Sequence, residues 1–264
     1  MKVNGKKGVN NLMKDFTKEL DKFIEKIKQK ENFSFIRFAD GEGSIVKNDP
    51  QWIKRKRTSS GWEHKIGDPV HENFRKQLTE SLQYNDKNYY IGIPCKEDHQ
   101  KRFHYLFEYL KNLTTVPEEQ LTFATVFKDA NWKKFLSEFM PLVTQRECYL
   151  IANEFCKQPS EDWLQFKKIF TVPKENAHLF SDKTTENILN YIQENKTENA
   201  IFLFASGPGT NVIVYNLWKQ NKNNTYIDIG STIDNYLFKH SSCKGKSRQY
   251  IRKDGKGYKP WKWG

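Results

Sequence analysis

Asp40 and Glu42 stand two residues apart in residues 33–44, which read Phe-Ser-Phe-Ile-Arg-Phe-Ala-Asp-Gly-Glu-Gly-Ser. Oxygen ligands of this kind suit a hard divalent cation. Such a cation can bridge the phosphates of a nucleotide and stabilise them as a leaving group. Arg37 could supply further positive charge at the same edge. The aromatic and β-branched residues before the acid pair predict a strand. Gly41 and Gly43 permit backbone conformations that a Cβ resists, so the acid pair reads as a tight loop after that strand. In open α/β sheets, ligands bind at the carboxyl ends of strands. The alternative is a solvated turn or a cap for the next helix, because Asp-Gly is among the commonest turn signals.

A second candidate loop is Ser206-Gly207-Pro208-Gly209-Thr210, between the apolar run 200–205 and a helical pattern. Its glycines let backbone approach a ligand, and a helix N-terminus offers free N–H groups to a phosphate or carboxylate. No Lys follows the last glycine, so this is not a P-loop. A packing turn is the alternative. Asp228 interrupts an apolar run just before Gly230, where a carboxylate is unfavourable unless paired. It could hold a ligand hydroxyl, act as a base or anchor the Ser206 loop. Asp234 could serve as a base or simply as a cap. Lys174 and Asn176, after another strand end, could contact phosphate or sugar. The histidines show no metal spacing, and the four cysteines form no Cys-x-x-Cys pair.

These residues need elements to hold them. Apolar residues at helical spacing predict a first helix over 11–30. Asp68-Pro69 opens a second, with Asp as N-cap and Pro at N1, and Val70, Phe74, Leu78 and Leu82 on its apolar face. Further helices are read at 98–113, 129–140, 161–168, 184–195 and 212–220. Strands are read at 88–94, 121–127, 148–153, 169–172, 200–205 and 226–230. The alternation predicts an α/β fold: a Rossmann-like, largely parallel sheet with helices on both faces. The chain divides into an N-terminal amphipathic helix (1–30), one domain (31–238) and a basic arm (239–264).

A formal charge of +12 attracts polyanions: nucleic acid, anionic lipid or phosphorylated substrates. The Lys54-Arg55-Lys56-Arg57 run beside Trp62 could hold phosphate and stack a base, or be a solvated loop. Hydrophobic residues are only 37% of the chain, so the aromatic 14% must carry much of the core. Buried, reduced cysteines and the lack of an apolar leader or membrane span predict a cytoplasmic protein. Its positive surface suits peripheral contact with an anionic membrane.

The order and spacing of Phe-Ile-Arg-Phe-Ala-Asp-Gly-Glu, Val-Pro-Lys-Glu-Asn-Ala, Ser-Gly-Pro-Gly-Thr and Ile-Asp-Ile-Gly-Ser resemble the GT-D glycosyltransferases, a fold first described in the bacterial domain DUF1792. The resemblance spans about residues 33–238. It implies a transferase with a nucleotide-sugar donor, typically a UDP-sugar, and a glycan or glycoconjugate acceptor. The family's Asp-x-Glu motif falls on Asp40 and Glu42, implying donor binding and coordination of Mn²⁺ or Mg²⁺. Its Gly-Pro loop falls on Gly207 and Pro208, and its Asp-x-Gly on Asp228 and Gly230. Ala39 stands where the family commonly has Gly, and Ser231 where it commonly has His. Two rival readings are a nucleic-acid-binding module, which the resemblance does not favour, and a metal-dependent sugar-nucleotide hydrolase.

Overall fold

Strands β1 (Ser34–Arg37), β2 (Tyr89–Ile93), β3 (Leu121–Phe123), β4 (Cys148–Asn153), β5 (Lys168–Val172), β6 (Ile201–Ala205) and β7 (Thr225–Asp228) form one sheet. The order is β3-β2-β1-β7-β6-β4-β5 and every neighbouring pair is parallel. The computed structural model describes residues 14–51, 53, 62–95 and 101–237. The first residues of the expected N-terminal helix, the basic run 54–57, Cys243 and the arm 239–264 lie outside them.

Strands in the middle of the sheet are buried along nearly their whole length, which requires cover on both faces; β5, at an edge, is largely open. Helix α1 (Phe16–Lys28) lies within the expected 11–30 and begins later than that reading. Asp15 caps it by accepting from the N–H groups of Thr17 and Lys18. Its Phe23 lies in an aromatic layer with Phe33, Phe35, Tyr90 and Phe127. This is the aromatic core that the composition called for.

Next come α2 (Asp40–Lys47), α3 (Pro69–Gln83) and α4 (Lys101–Leu113), followed by a helical stretch after β3: α5 (Trp132–Lys134), a π turn (Phe135–Phe139) and α6 (Met140–Thr144). Helices α7 (Ser181–Glu194), α8 (Gly209–Gln220) and the short α9 (Asp234–Leu237) complete the chain described. Asp68 caps α3 as expected, but Val70 is 60% exposed and His71 takes the buried place beside Phe74. No helix forms over 161–168. Gln158 and Gln165 instead satisfy the backbone there, accepting from Phe166 N and donating to the carbonyls of Pro159, Glu161 and Phe166. Strand β3 ends at Phe123 because residues 124–128 turn back on themselves.

Gly92 shows how tightly the middle of the sheet is packed. A Cβ there would sit 2.9 Å from the Cα of Ala124 and 3.0 Å from Cζ of Phe35. Gly92→Ala is expected to lower stability by about 1–3 kcal/mol, read as a lower urea midpoint. An unchanged midpoint would show that β2 and the segment after β3 can separate freely. Among the described residues, Cys95, Cys148 and Cys156 are buried, and no helix is long and apolar enough to cross a membrane.

Candidate active site

Strands β1 and β7 are neighbours and end side by side, one on Arg37 and the other on Asp228. Arg37 Nε donates to Asp228 Oδ1 at 3.1 Å, and the N–H of Gly230 donates to the same oxygen at 2.8 Å. Gly230 has φ +51°, and a Cβ on it would lie 1.9 Å from Arg37 Nη2. Glycine is therefore required twice, by the backbone and by the guanidinium lying against it. Burial pushes the Asp228 carboxyl up, while Arg37 pulls it back.

The acid pair is not on a loop. Asp40 and Glu42 occupy the first turn of α2, with Ala39 as N-cap. Glu42 is buried, and its Oε2 accepts from the N–H of Ala39 at 3.0 Å. Negative charge is at home at a helix N-terminus. Burial nevertheless pushes the Glu42 carboxyl up; Arg37 pulls it down, and Asp228 and Asp40 push it further up. These four side chains behave as one electrostatic unit. The two glycines follow from packing. A Cβ on Gly41 would meet the Trp62 ring at 3.2 Å, and one on Gly43 would meet Leu106 at 3.2 Å. Neither has positive φ.

Two residues of this region carry no motif in the sequence. Buried Lys128 donates from Nζ to Ser231 Oγ at 2.9 Å, and its charge reaches Asp228. Asn211, fully buried on α8, donates from Nδ2 to the Arg37 carbonyl at 3.0 Å, while its Oδ1 has no partner. A lone lysine ending an apolar run was the available signal for the first. The second had none.

The Ser206–Thr210 segment is half loop and half helix, because α8 already begins at Gly209. Gly207, at φ +72°, has open space where a Cβ would be. Gly209 is a packing glycine, since a Cβ there would lie 2.8 Å from the Cα of His178. The hydroxyls of Ser206 and Thr210 bond each other at 2.8 Å. Beside them, over the ends of β4, β5 and β6, opens a pocket of about 130 Å³. Trp62, Asn153, Lys174, His178, Ser206, Gly207 and Pro208 are in its wall. Arg37, Asp40, Glu42 and Asp228 are not, so pocket and charge cluster are distinct parts of one sheet edge. Lys174 reaches the pocket, whereas Asn176 is structural: at φ +53° its Oδ1 accepts from the N–H of Glu63 at 2.7 Å. Asp234 opens α9, partly buried, close enough to help burial push the Cys156 thiol up to about 11.

Behind the pocket lie three histidines that the spacing does not bring together. His64 and His71 are 5.5 Å apart between ring centroids, and His71 and His178 are 5.7 Å apart. Both ring nitrogens of His64 are buried without a hydrogen-bond partner, and those of His178 are buried beside the Glu63 backbone. Burial holds His64 down to about 4 and His178 down to about 3, with the neighbouring imidazoles adding to both effects. Among the described residues, no three His, Cys, Asp or Glu side chains are grouped as ligands of one metal ion.

No known family profile matches the sequence, and no curated protein matches it. Solved structures do match in three dimensions. One, described as a new glycosyltransferase (DUF1792) from Streptococcus sanguinis, aligns with TM-score 0.59 at 15% identity over 81% of this chain and 80% of that one. A selenomethionine structure of domain of unknown function 1792 aligns with TM-score 0.57 at 16% identity, over 80% and 76%. A third, described as DUF1792 with a distinct glycosyltransferase fold, aligns with TM-score 0.54 at 17% identity, over 81% and 78%. At such identities the likeness is one of fold, and it is the fold that the sequence motifs resembled.

Proposed function

We propose that this chain, built on the fold of those DUF1792 structures, is a glycosyltransferase that moves a sugar from a nucleotide-sugar donor, a UDP-sugar, to a hydroxyl of a glycan or glycoconjugate. The observation that carries the reading is the buried Arg37–Asp228–Gly230 assembly, with Asp40 and Glu42 beside it, at the carboxyl edge of this sheet. In this reading Arg37 and Lys128 supply the positive potential that a departing diphosphate needs, and free N–H groups at the start of α8 add to it. Asp228 is a positioning residue: it is 3% exposed and already holds Arg37 and Gly230, so it is poorly placed to meet an acceptor. Asp234, less buried, is the better base.

A divalent cation fits Asp40 better than the acid pair. Side chains two apart on a helix do not face each other, and Glu42 is turned onto the N–H of Ala39. Mg²⁺ is commonly held by one or two carboxylates and substrate phosphates. Mn²⁺ or Mg²⁺ at Asp40 would supply neutralising charge to the donor phosphates. The chain's own residues then bind the donor at the sheet edge, hold the acceptor hydroxyl and take its proton at an Asp234 oxygen. The acceptor oxygen bonds to the anomeric carbon as the sugar–phosphate bond breaks, and that bond's electron pair leaves on the diphosphate.

Thermal-shift titration with UDP, GDP, CDP and ADP, each with and without Mn²⁺, tests the reading. One diphosphate is expected to raise the melting temperature by mass action, and Asp40→Asn to lose the part that Mn²⁺ adds. No shift with any nucleotide would sink it. A hydrolase is the second reading, and free sugar released at full rate without acceptor would favour it.

A further inference from the structure

The segment between β4 and β5 crosses from the carboxyl end of one parallel strand to the amino end of the other, and side-chain bonds tie it together on the way. Gln158 holds Phe166 through both its amide atoms, and Gln165 Nε2 donates to the carbonyls of Pro159 and Glu161. Cys156, Leu164 and Phe166 fill its interior. Yet it leaves two large aromatics in solvent, Phe155 at 48% and Trp163 at 40% exposure. Their rings are open to a ligand on an otherwise self-satisfied segment.

The place narrows the ligand. Trp163 packs edge-on against Tyr236 at 5.3 Å between centroids, and Tyr236 stands two residues after Asp234 on α9. Phe155 lies 5.5 Å from Lys174 Nζ, and Lys174 is in the pocket wall. One aromatic thus adjoins the pocket wall through Lys174, and the other adjoins, through Tyr236, the helix that carries the candidate base. A pyranose ring offers a matching surface: C–H bonds on one face and hydroxyls around its rim. An aromatic ring takes the first, and Lys174 and the carboxylate of Asp234 can bond the second.

We propose that Trp163, supported edge-on by Tyr236, stacks on a sugar ring of the acceptor glycan, with Phe155 and Lys174 flanking it toward the pocket. The acceptor role, though not the affinity for sugar, rests on the transferase reading. The full chain, labelled fluorescently, would be applied to a printed glycan array, and one retained glycan then titrated by calorimetry. Trp163→Ala is expected to weaken that glycan by about tenfold, Trp163→Phe to restore most of it, and Phe155→Ala to weaken it less. UDP stabilisation should be the same in all four proteins. No retained glycan, or equal affinity in Trp163→Ala, overturns the stacking. If glycan binding needs Trp163 but no nucleoside diphosphate stabilises the chain, the stacking stands and the transferase reading falls. If a diphosphate binds and the glycan ignores Trp163, the reverse holds.

Discussion

Asp228→Asn is expected to reduce glycosyl transfer by about a hundredfold or more while leaving an acceptor oxygen for the N–H of Gly230. The substitution preserves shape and removes charge. Arg37 then stands largely buried without the carboxylate that aims it, and removing one partner of a buried pair strands the other. Glu42 is near enough to respond, because Asp228 is one of the charges that push its carboxyl up. With that charge gone, Glu42 should ionise more readily and draw the guanidinium toward itself. Gly230→Ala attacks the same assembly from the other side. A methyl 1.9 Å from Nη2 must displace Arg37, and φ +51° adds backbone strain. If the two act through one guanidinium, the double variant will be scarcely worse than either single. Single-turnover rates of the three proteins at saturating donor decide it. Full turnover in Asp228→Asn would remove Arg37 from the mechanism, and multiplied losses in the double variant would show two separate roles.

Much of this site was legible before any coordinates. Strands and helices alternate with clear apolar runs, so β4, β6 and α8 stand close to where the pattern puts them, and Arg37, Asp228 and Gly230 do meet at one edge. The errors have local causes. Asp-Gly-Glu-Gly looks like a turn because glycine is a poor helix former. It forms a helix that the Ala39–Glu42 capping bond starts, and its glycines are there because a Cβ on Gly41 would crowd Trp62 and one on Gly43 would crowd Leu106. On α3 the spacing of four places Phe74, Leu78 and Leu82 correctly and misses only in the first turn, where His71 rather than Val70 turns inward. The stretch 161–168 lacks a helix because side-chain amides satisfy its backbone instead. Asn211 and the three histidines could not be read at all, since only the tertiary fold sets them beside their neighbours, and Lys128 left only the faint signal of a lysine ending an apolar run.

Those histidines carry the largest expected effect on stability. His64 and His178 are buried and neutral, held down to about 4 and about 3, whereas in the unfolded chain each titrates near 6.5. Below pH 6.5 the unfolded state binds protons that the folded state refuses. Stability therefore falls as the pH drops, until the folded values are themselves reached. At pH 5 the loss relative to pH 7 is about 2 kcal/mol for His178 alone. That is a large share of a typical domain's stability. Glu72 and Asp68 favour a charged His64, while Arg75 and His71 oppose it; His71 and His64 oppose charge on His178, and the Glu63 backbone favours it. The raised carboxyls of Glu42 and Asp228 act in the other direction, because the folded state takes up their protons first as the pH falls. The contribution of the histidines is accordingly read by difference. Urea unfolding of the wild type and of His178→Phe at pH 7 and pH 5 should show a smaller acid loss in the variant by about 2 kcal/mol. The phenyl ring would sit against Phe74, 4.8 Å from the present imidazole, so the variant is expected to fold. Equal acid losses in the two proteins would mean that His178 already finds a proton, or a partner for its nitrogens, in the folded state.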